Sequence, residues 1–287
     1  MFGSFLNVCI YRMPRDLSVV RPRSACPLCN APIAAYDNIP VVSWLLLGGK
    51  CRACKAPISP RYAIVELLTA GSFVLSYTYG GNMLGAIKLC VLTFLLIGLI
   101  FTDAETKLLP DALTKTGMVV GLLFSLLVPV EGPAQFFIHR TINWRLLSLI
   151  NSVAGLILGS AFILGVALLY EAVRGVEGMG RGDVKLMALI GAFLGMKHTL
   201  LVLLAGSLVG SVFGTGLILV VWRKRVARRR KRSPAEPGEV SRARAWYSAR
   251  LVYRHLEIPF GVFLGGAAYV AALWGNNILD WYWRLYH

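Results

Sequence analysis

The chain has 287 residues, of which 56% are hydrophobic and only 15% charged, and it carries a formal charge of +16. Together these values exclude a soluble core and describe a multi-span membrane protein.

The first eleven residues, "MFGSFLNVCIY", are apolar, but at 1.5 Å per residue they amount to ~16 Å of helix and cannot cross a bilayer alone. They lack a basic leader region and a small-residue cleavage site, so they read as a partial first membrane helix over 1–11 and not as a signal peptide. Segment 12–62 follows as a polar loop domain holding four of the six cysteines in two pairs, "CPLC" (Cys26, Cys29) and "CRAC" (Cys51, Cys54). Two C-x2-C knuckles at this separation match a tetrahedral zinc site in which each tight turn supplies two thiolates. With all four positions filled by protein, the metal is structural and folds a loop too small to have its own core; "NIPVVSWLLLGG" between the knuckles supplies apolar packing. The alternative is two disulfides or four free thiols. Cys9 and Cys90 lie in apolar segments and read as buried small hydrophobes.

From 63 onward apolar stretches long enough to span recur at about 63–79, 86–102, 113–130, 148–170, 199–222 and 258–276, with a shorter one at 186–196. The fold class is therefore an all-α polytopic membrane protein, a helical bundle of about seven spans plus the N-terminal stub and a four-cysteine zinc-type insertion. Residues 63–287 form its membrane-embedded domain, with a basic cytoplasmic loop at 223–254. Lys and Arg accumulate on the cytoplasmic side. Segment 12–62 holds eight of them, 171–185 three and 223–254 twelve. This places 12–62, 103–112, 171–185 and 223–254 inside, and the Trp- and Tyr-rich C-terminus outside. The basic run 223–232 adjoins a span and has no interleaved aromatics, so anionic inner-leaflet lipids suit it better than nucleic acid. "SPAEPGEVS" after it reads as a loop.

Acidic residues are scarce, and an ionisable group at membrane depth is costly unless it does something. Asp103 closes the second span, where a carboxylate opposes the helix dipole. Asp111 follows Pro110 and is placed to favour the start of the next helix. Asp183 precedes the short apolar helix and reads either as its N-cap or as a functional carboxylate. The alternating Gly178, Gly180 and Gly182 permit positive φ and close approach of another chain. Two aspartates from two inner-face helix boundaries could share a proton and supply the acid and base that activate water on an amide. Two unrelated caps is the competing reading. Glu66, inside "RYAIVELLT", either receives a positive charge or pairs with a neighbour.

These stretches resemble the type 4 prepilin peptidases, membrane aspartyl proteases of the GxGD group. The similarity runs through "GSFLNVCIYRMP" (3–14), the two knuckles with "NIPVVSWLLLGGKCRACKAPISPRYAIVELLT" (38–69), "DAETKLLPD" (103–111), "GMGRGDVKLMALIGAFLG" (178–195) and "IPFGVFLG" (258–265). The resemblance implies Asp103 and Asp183 as the catalytic pair, with Gly180, Gly182 and Asp111 in the supporting loops. It also implies a bacterial inner-membrane, multi-pass endopeptidase whose active site lies on the cytoplasmic face. Its substrates would be type IV prepilins or type II secretion pseudopilins, cut after a glycine that ends a short basic leader. Many members then N-methylate the new terminus with S-adenosylmethionine, for which no nucleotide-type glycine loop is legible here. Two other classes compete: an ion- or proton-coupled transporter using the same carboxylates, which predicts paired interrupted helices, and a membrane-tethered zinc module.

Overall fold

In the computed structural model, which describes residues 1–133, 143–175, 180–232, 238–254 and 259–285, the regular elements are helices. They are α1 (Phe2–Arg12), α2 (Val42–Leu46), α3 (Arg61–Tyr79), α4 (Met83–Thr106), α5 (Asp111–Ser125), α6 (Trp144–Arg174), α7 (Arg181–Arg232), α8 (Gly238–Arg254) and α9 (Phe260–Arg284). Extended pairing among the described residues is confined to two isolated bridges, Ala25 with Pro32 and Lys50 with Pro57. Four helices, α4, α6, α7 and α9, are long and apolar enough to cross a membrane. The shorter α3 and α5 pack along α4 and α7.

The bundle is organised around the first arm of α7. Gly195 has φ 73° and ψ 177°, a conformation outside the helical region, and divides α7 into a short arm, 181–194, and a long arm, 196–232. From Leu186 to Gly195 every residue is buried. Being covered by protein on all sides, this arm lies inside the bundle and not against lipid. Its length therefore need not match the bilayer, which is why the apolar stretch after Asp183 is so short.

Helices in lipid gain nothing by hiding apolar surface from each other, so they associate through close packing at small residues. A Cβ on Gly191 would lie 2.2 Å from the Gly155 carbonyl oxygen, and one on Gly159 would lie 2.8 Å from that of Met187. "GLILG" at 155–159 thus sets α6 directly on the short arm. On the opposite side Gly117 and Gly121 of α5 receive Leu189 and Phe193. Leu92, Leu96 and Leu99 of α4 and Leu264 and Ala268 of α9 complete the core.

Several segments differ from the sequence reading. The stretch 223–254 is not a loop: α7 continues through the basic run to Arg232, and α8 occupies Gly238–Arg254. Trp222 and Trp246 meet edge to face at 6.2 Å, and the Trp222 indole N–H donates to the Arg242 carbonyl, joining the two helices. Long straight side chains such as Arg and Lys are good helix formers, which charge counting alone overlooks. Of "SPAEPGEVS", residues 238–241 are helical and 233–237 lie outside the described residues, as does most of the connector 131–147.

Gly195 sits in a backbone region that only glycine occupies freely, and a Cβ there would lie 2.4 Å from Val130 Cγ1. Gly195→Ala should therefore cost on the order of 1–3 kcal/mol, read as a lowered thermal unfolding midpoint in detergent. Gly165→Ala, in mid-α6 with nothing within 4 Å, should not lower it.

Candidate functional site

Asp103 lies in the last turn of α4 and Asp183 in the first turn of α7, and both are buried, at 5% and 8% exposure. The third wall of the site is the start of α9. That helix begins after Pro259, which has no side chain able to cap it. Asp103 supplies the missing acceptor: its Oδ2 takes the Val262 N–H at 3.1 Å. The carboxylate that opposes the dipole of its own helix thus favours the positive end of another.

Gly261 makes this approach possible, since a Cβ there would stand 2.8 Å from Asp103 Oδ2 and 3.3 Å from Leu186 Cδ2. Leu186 is three residues beyond Asp183 and shares its helix face. Asp183 is therefore brought to the same side as Asp103, near enough for the Asp103 charge to act on it. Asp183 is not an N-cap, because the helix already starts at Arg181 and the Asp183 N–H bonds to the Gly180 carbonyl at 3.1 Å. Among the described residues no donor bonds its carboxyl group.

The expected supporting residues divide. Gly182 packs on Leu109, whose Cδ1 would be 3.0 Å from an added Cβ, so the 107–110 turn presses on the first turn of α7. A Cβ on Gly180 would meet, among the described residues, only the Gly182 nitrogen, at 3.9 Å. Gly178 lies outside the described residues. Asp111 does not join the buried pair. It is half exposed, bonded to Lys115 at 2.7 Å one turn along α5 and to Lys185 on α7, and these lysines hold its carboxyl below the ordinary carboxylate range. Its contribution is to tie α5 to the helix that carries Asp183. A second ion pair, Arg61 with Glu105, fastens α3 beside the end of α4. The roles of Gly261 and Val262 were not legible beforehand. "IPFGVFLG" stood out only as a similar block, because a backbone N–H serving a distant carboxylate leaves no mark on composition.

The four expected ligand cysteines also converge. The sulfurs of Cys26, Cys29, Cys51 and Cys54 lie within 4.8 Å of one another, and Cys26 Sγ is 3.8 Å from Cys54 Sγ. No disulfide joins them. A tetrahedron with Zn–S bonds of ~2.3 Å has edges of about 3.8 Å. The two knuckles repeat one another: Cys26 N–H donates to Ala31 and Cys51 N–H to Ala56, and each turn closes on a residue with positive φ, Asn30 or Lys55. Backbone N–H groups of Cys29 and Leu28 aimed at the Cys26 sulfur pull its pKa down to about 6, and the thiolate is the form a metal takes. Arg52 braces the module by a two-pronged bond to Asp37, at 2.7 and 2.6 Å. The donor set fits a closed, four-thiolate zinc site.

Glu66 follows the second of its two readings and pairs with a neighbour, a backbone group. Its Oε2 accepts the Val41 N–H at 2.8 Å, so it ties α3 to the segment between the knuckles.

Known proteins resemble the chain along its length. The Bacterial Peptidase A24 N-terminal domain matches residues 1–79, and the Type IV leader peptidase family matches residues 90–215. The prepilin leader peptidase/N-methyltransferase of Aeromonas hydrophila is 36% identical, over 98% of this chain and 90% of its own length. The protein of the same name from Pseudomonas aeruginosa is 31% identical over the same shares, and that from Neisseria gonorrhoeae 35% identical over 74% and 77%. No solved structure matches the chain. The transporter reading gains no support from these relatives.

An Asn at 103 keeps a side-chain oxygen for the Val262 N–H, and an Ala does not. Asp103→Asn should therefore leave the unfolding midpoint nearly unchanged, whereas Asp103→Ala should cost about 0.5–2 kcal/mol through the lost cap, measured by thermal unfolding in detergent.

Proposed function

We propose that this chain, which belongs to the type IV leader peptidase family, is an integral-membrane aspartyl endopeptidase that removes the basic leader of type IV prepilins or type II secretion pseudopilins. The observation that carries the reading is the pair of buried carboxyl groups, Asp103 and Asp183, brought together from two helices at one end of the bundle.

The chemistry follows from two crowded carboxyl groups sharing a proton. The ionised one takes a proton from water as the water oxygen attacks the scissile carbonyl carbon, and the protonated one gives its proton to the carbonyl oxygen. Collapse of the tetrahedral intermediate breaks the C–N bond: the departing amine takes a proton from the protonated carboxyl group while the ionised one removes a proton from a hydroxyl of the intermediate, which leaves a carboxylic acid and restores the single shared proton. Water is the nucleophile, so no acyl-enzyme forms. The Val262 N–H fixes one carboxyl group in orientation, while that of Asp183 has no such restraint among the described residues.

In this reading the chain lies in a bacterial inner membrane with about seven crossings, and the dyad, the cysteine module and the basic hairpin of α7 and α8 face the cytoplasm. The excess of Lys and Arg in those segments supports that orientation. A leader carrying positive charge then meets the dyad without being translocated, and the hairpin's arginines and lysines attract anionic lipid. Cys26, Cys29, Cys51 and Cys54 hold one structural Zn2+, which supplies cross-linking of the two knuckles and no reactive position. N-methyl transfer is the second activity in the relatives' names and is included as such, with S-adenosylmethionine as the donor that the family resemblance implies. The described residues form no strand-to-helix glycine turn suited to its adenosyl group, and no step is assigned to them.

Asp103→Asn and Asp183→Asn should each abolish leader cleavage of a prepilin in proteoliposomes, followed by gel shift, while the protein still inserts in the membrane; full activity in either variant overturns the assignment. Metal analysis of the purified chain should return about one zinc per polypeptide, and replacing Cys26 and Cys51 together by Ser should abolish it.

A further inference from the structure

The segment between the knuckles is built inside out for a water-facing surface. In α2, Ser43 is buried with its hydroxyl donating to the Tyr36 carbonyl, while Leu45 and Leu46 point outward at 63% and 82% exposure. Tyr36, Ile39 and Val42 extend the exposed apolar strip. The strip is not a loose tail. The Trp44 indole N–H donates to the Ile58 carbonyl, and the Trp44 ring packs on Gly49. Val41 is held at φ 61°, an uncommon and costly conformation for a β-branched residue, with its N–H on Glu66.

Three contacts fix its height along the bundle. Glu66 is five residues into α3, so Val41 sits ~7.5 Å below the first residue of that helix, Arg61. Ser4, which donates its hydroxyl to Asn38, is eight residues before Arg12, or ~12 Å along α1. Gly3 lies against the Glu66 backbone, so the two helices are level there and Arg12 reaches ~6 Å further toward the polar end than Arg61. Arg12 and Arg61 mark the polar end: Arg12 bonds the carbonyls of Ser18 and Pro22, and Arg61 bonds Glu105. Asn38 and Val41, at the root of the strip, therefore lie on the membrane side of both arginines, against the helix that carries the exposed Leu67 and Leu68. That is the depth, ~5–10 Å, at which interfacial apolar side chains rest at the headgroup and acyl boundary.

We infer that residues 36–46 of the cysteine module form a lipid wedge: Leu45, Leu46 and their apolar neighbours insert into the acyl region of the inner leaflet beside α3. The occupant is lipid because the strip is rooted against α3 on the membrane side of both arginines, with those basic side chains at headgroup height. The module is then fixed to the bilayer at two points, the Glu66 bond and the wedge, so it cannot swing away from the membrane end of α4 that carries Asp103. The inference does not depend on what the carboxyl pair catalyses.

The full chain reconstituted in phosphatidylethanolamine and phosphatidylglycerol vesicles, with a phospholipid bearing a photoactivatable diazirine in its acyl chain, tests this. After irradiation, peptide mass spectrometry should find acyl adducts on 36–47 and on 67–68, and none on the basic run 223–232. A Leu45→Asp, Leu46→Asp double variant should keep its metal content and lose the adducts on 36–47 alone. Wild-type protein labelled at 67–68 but not at 36–47 would mean that water or a second copy of the chain covers the strip, and the wedge would be wrong. Undiminished labelling of 36–47 in the double variant would equally overturn it.

Discussion

Asp103 does for α9 what that helix cannot do for itself. A helix that starts after proline has N–H groups with no partner, and a membrane boundary offers little water to satisfy them. The carboxyl group at the end of α4 fills that need through Val262. The same bond fixes where Asp103 points, and with Gly261 lacking a side chain it brings α4, α9 and the start of α7 to one place. Satisfying a backbone donor and orienting a buried carboxyl group are thus one interaction.

Glu66 repeats the device at the edge of the bundle. It is an acid from a membrane helix that bonds the N–H just before α2, whose own preceding residue, Val41, has no capping side chain. In both cases a charge that looks expensive beside an apolar helix is spent on backbone groups elsewhere. Around the buried pair, Asp103, Glu105, Asp111 and Glu66 each have a specific partner, and Asp183 lies near Asp103. Asp111 and Glu105 hold lysine and arginine side chains that pin α5, α7, α3 and α4 together around the pair.

The short arm of α7 explains how a carboxyl group can sit so deep. Because glycines of α5 and α6 let neighbouring backbones close around it, the arm is enclosed by protein from Leu186 to Gly195, and its first turn is shielded by the same helices. Asp183 is held at the mouth of that enclosure, supported by Leu109 against Gly182 and by the Lys185–Asp111 pair. The break at Gly195 then lets the chain reverse its environment, from protein-lined to the long arm that ends in the basic hairpin.

Local sequence determined much of this. Apolar stretches of spanning length, the clustering of Lys and Arg, the two C-x2-C knuckles and the two boundary aspartates are each written in adjacent residues, because hydrophobicity, charge and thiolate turns are local properties. The convergence of four sulfurs could be expected from spacing, since each knuckle carries its own turn geometry. Tertiary structure alone decided what those residues meet. That Asp103 caps α9, that Asp183 lies within the first turn of its helix, that Glu66 holds Val41 and that Leu45 and Leu46 turn outward depend on backbone groups far apart in the chain. A backbone N–H is the same at every non-proline position, so nothing in the order of side chains announces which one a distant carboxylate will find.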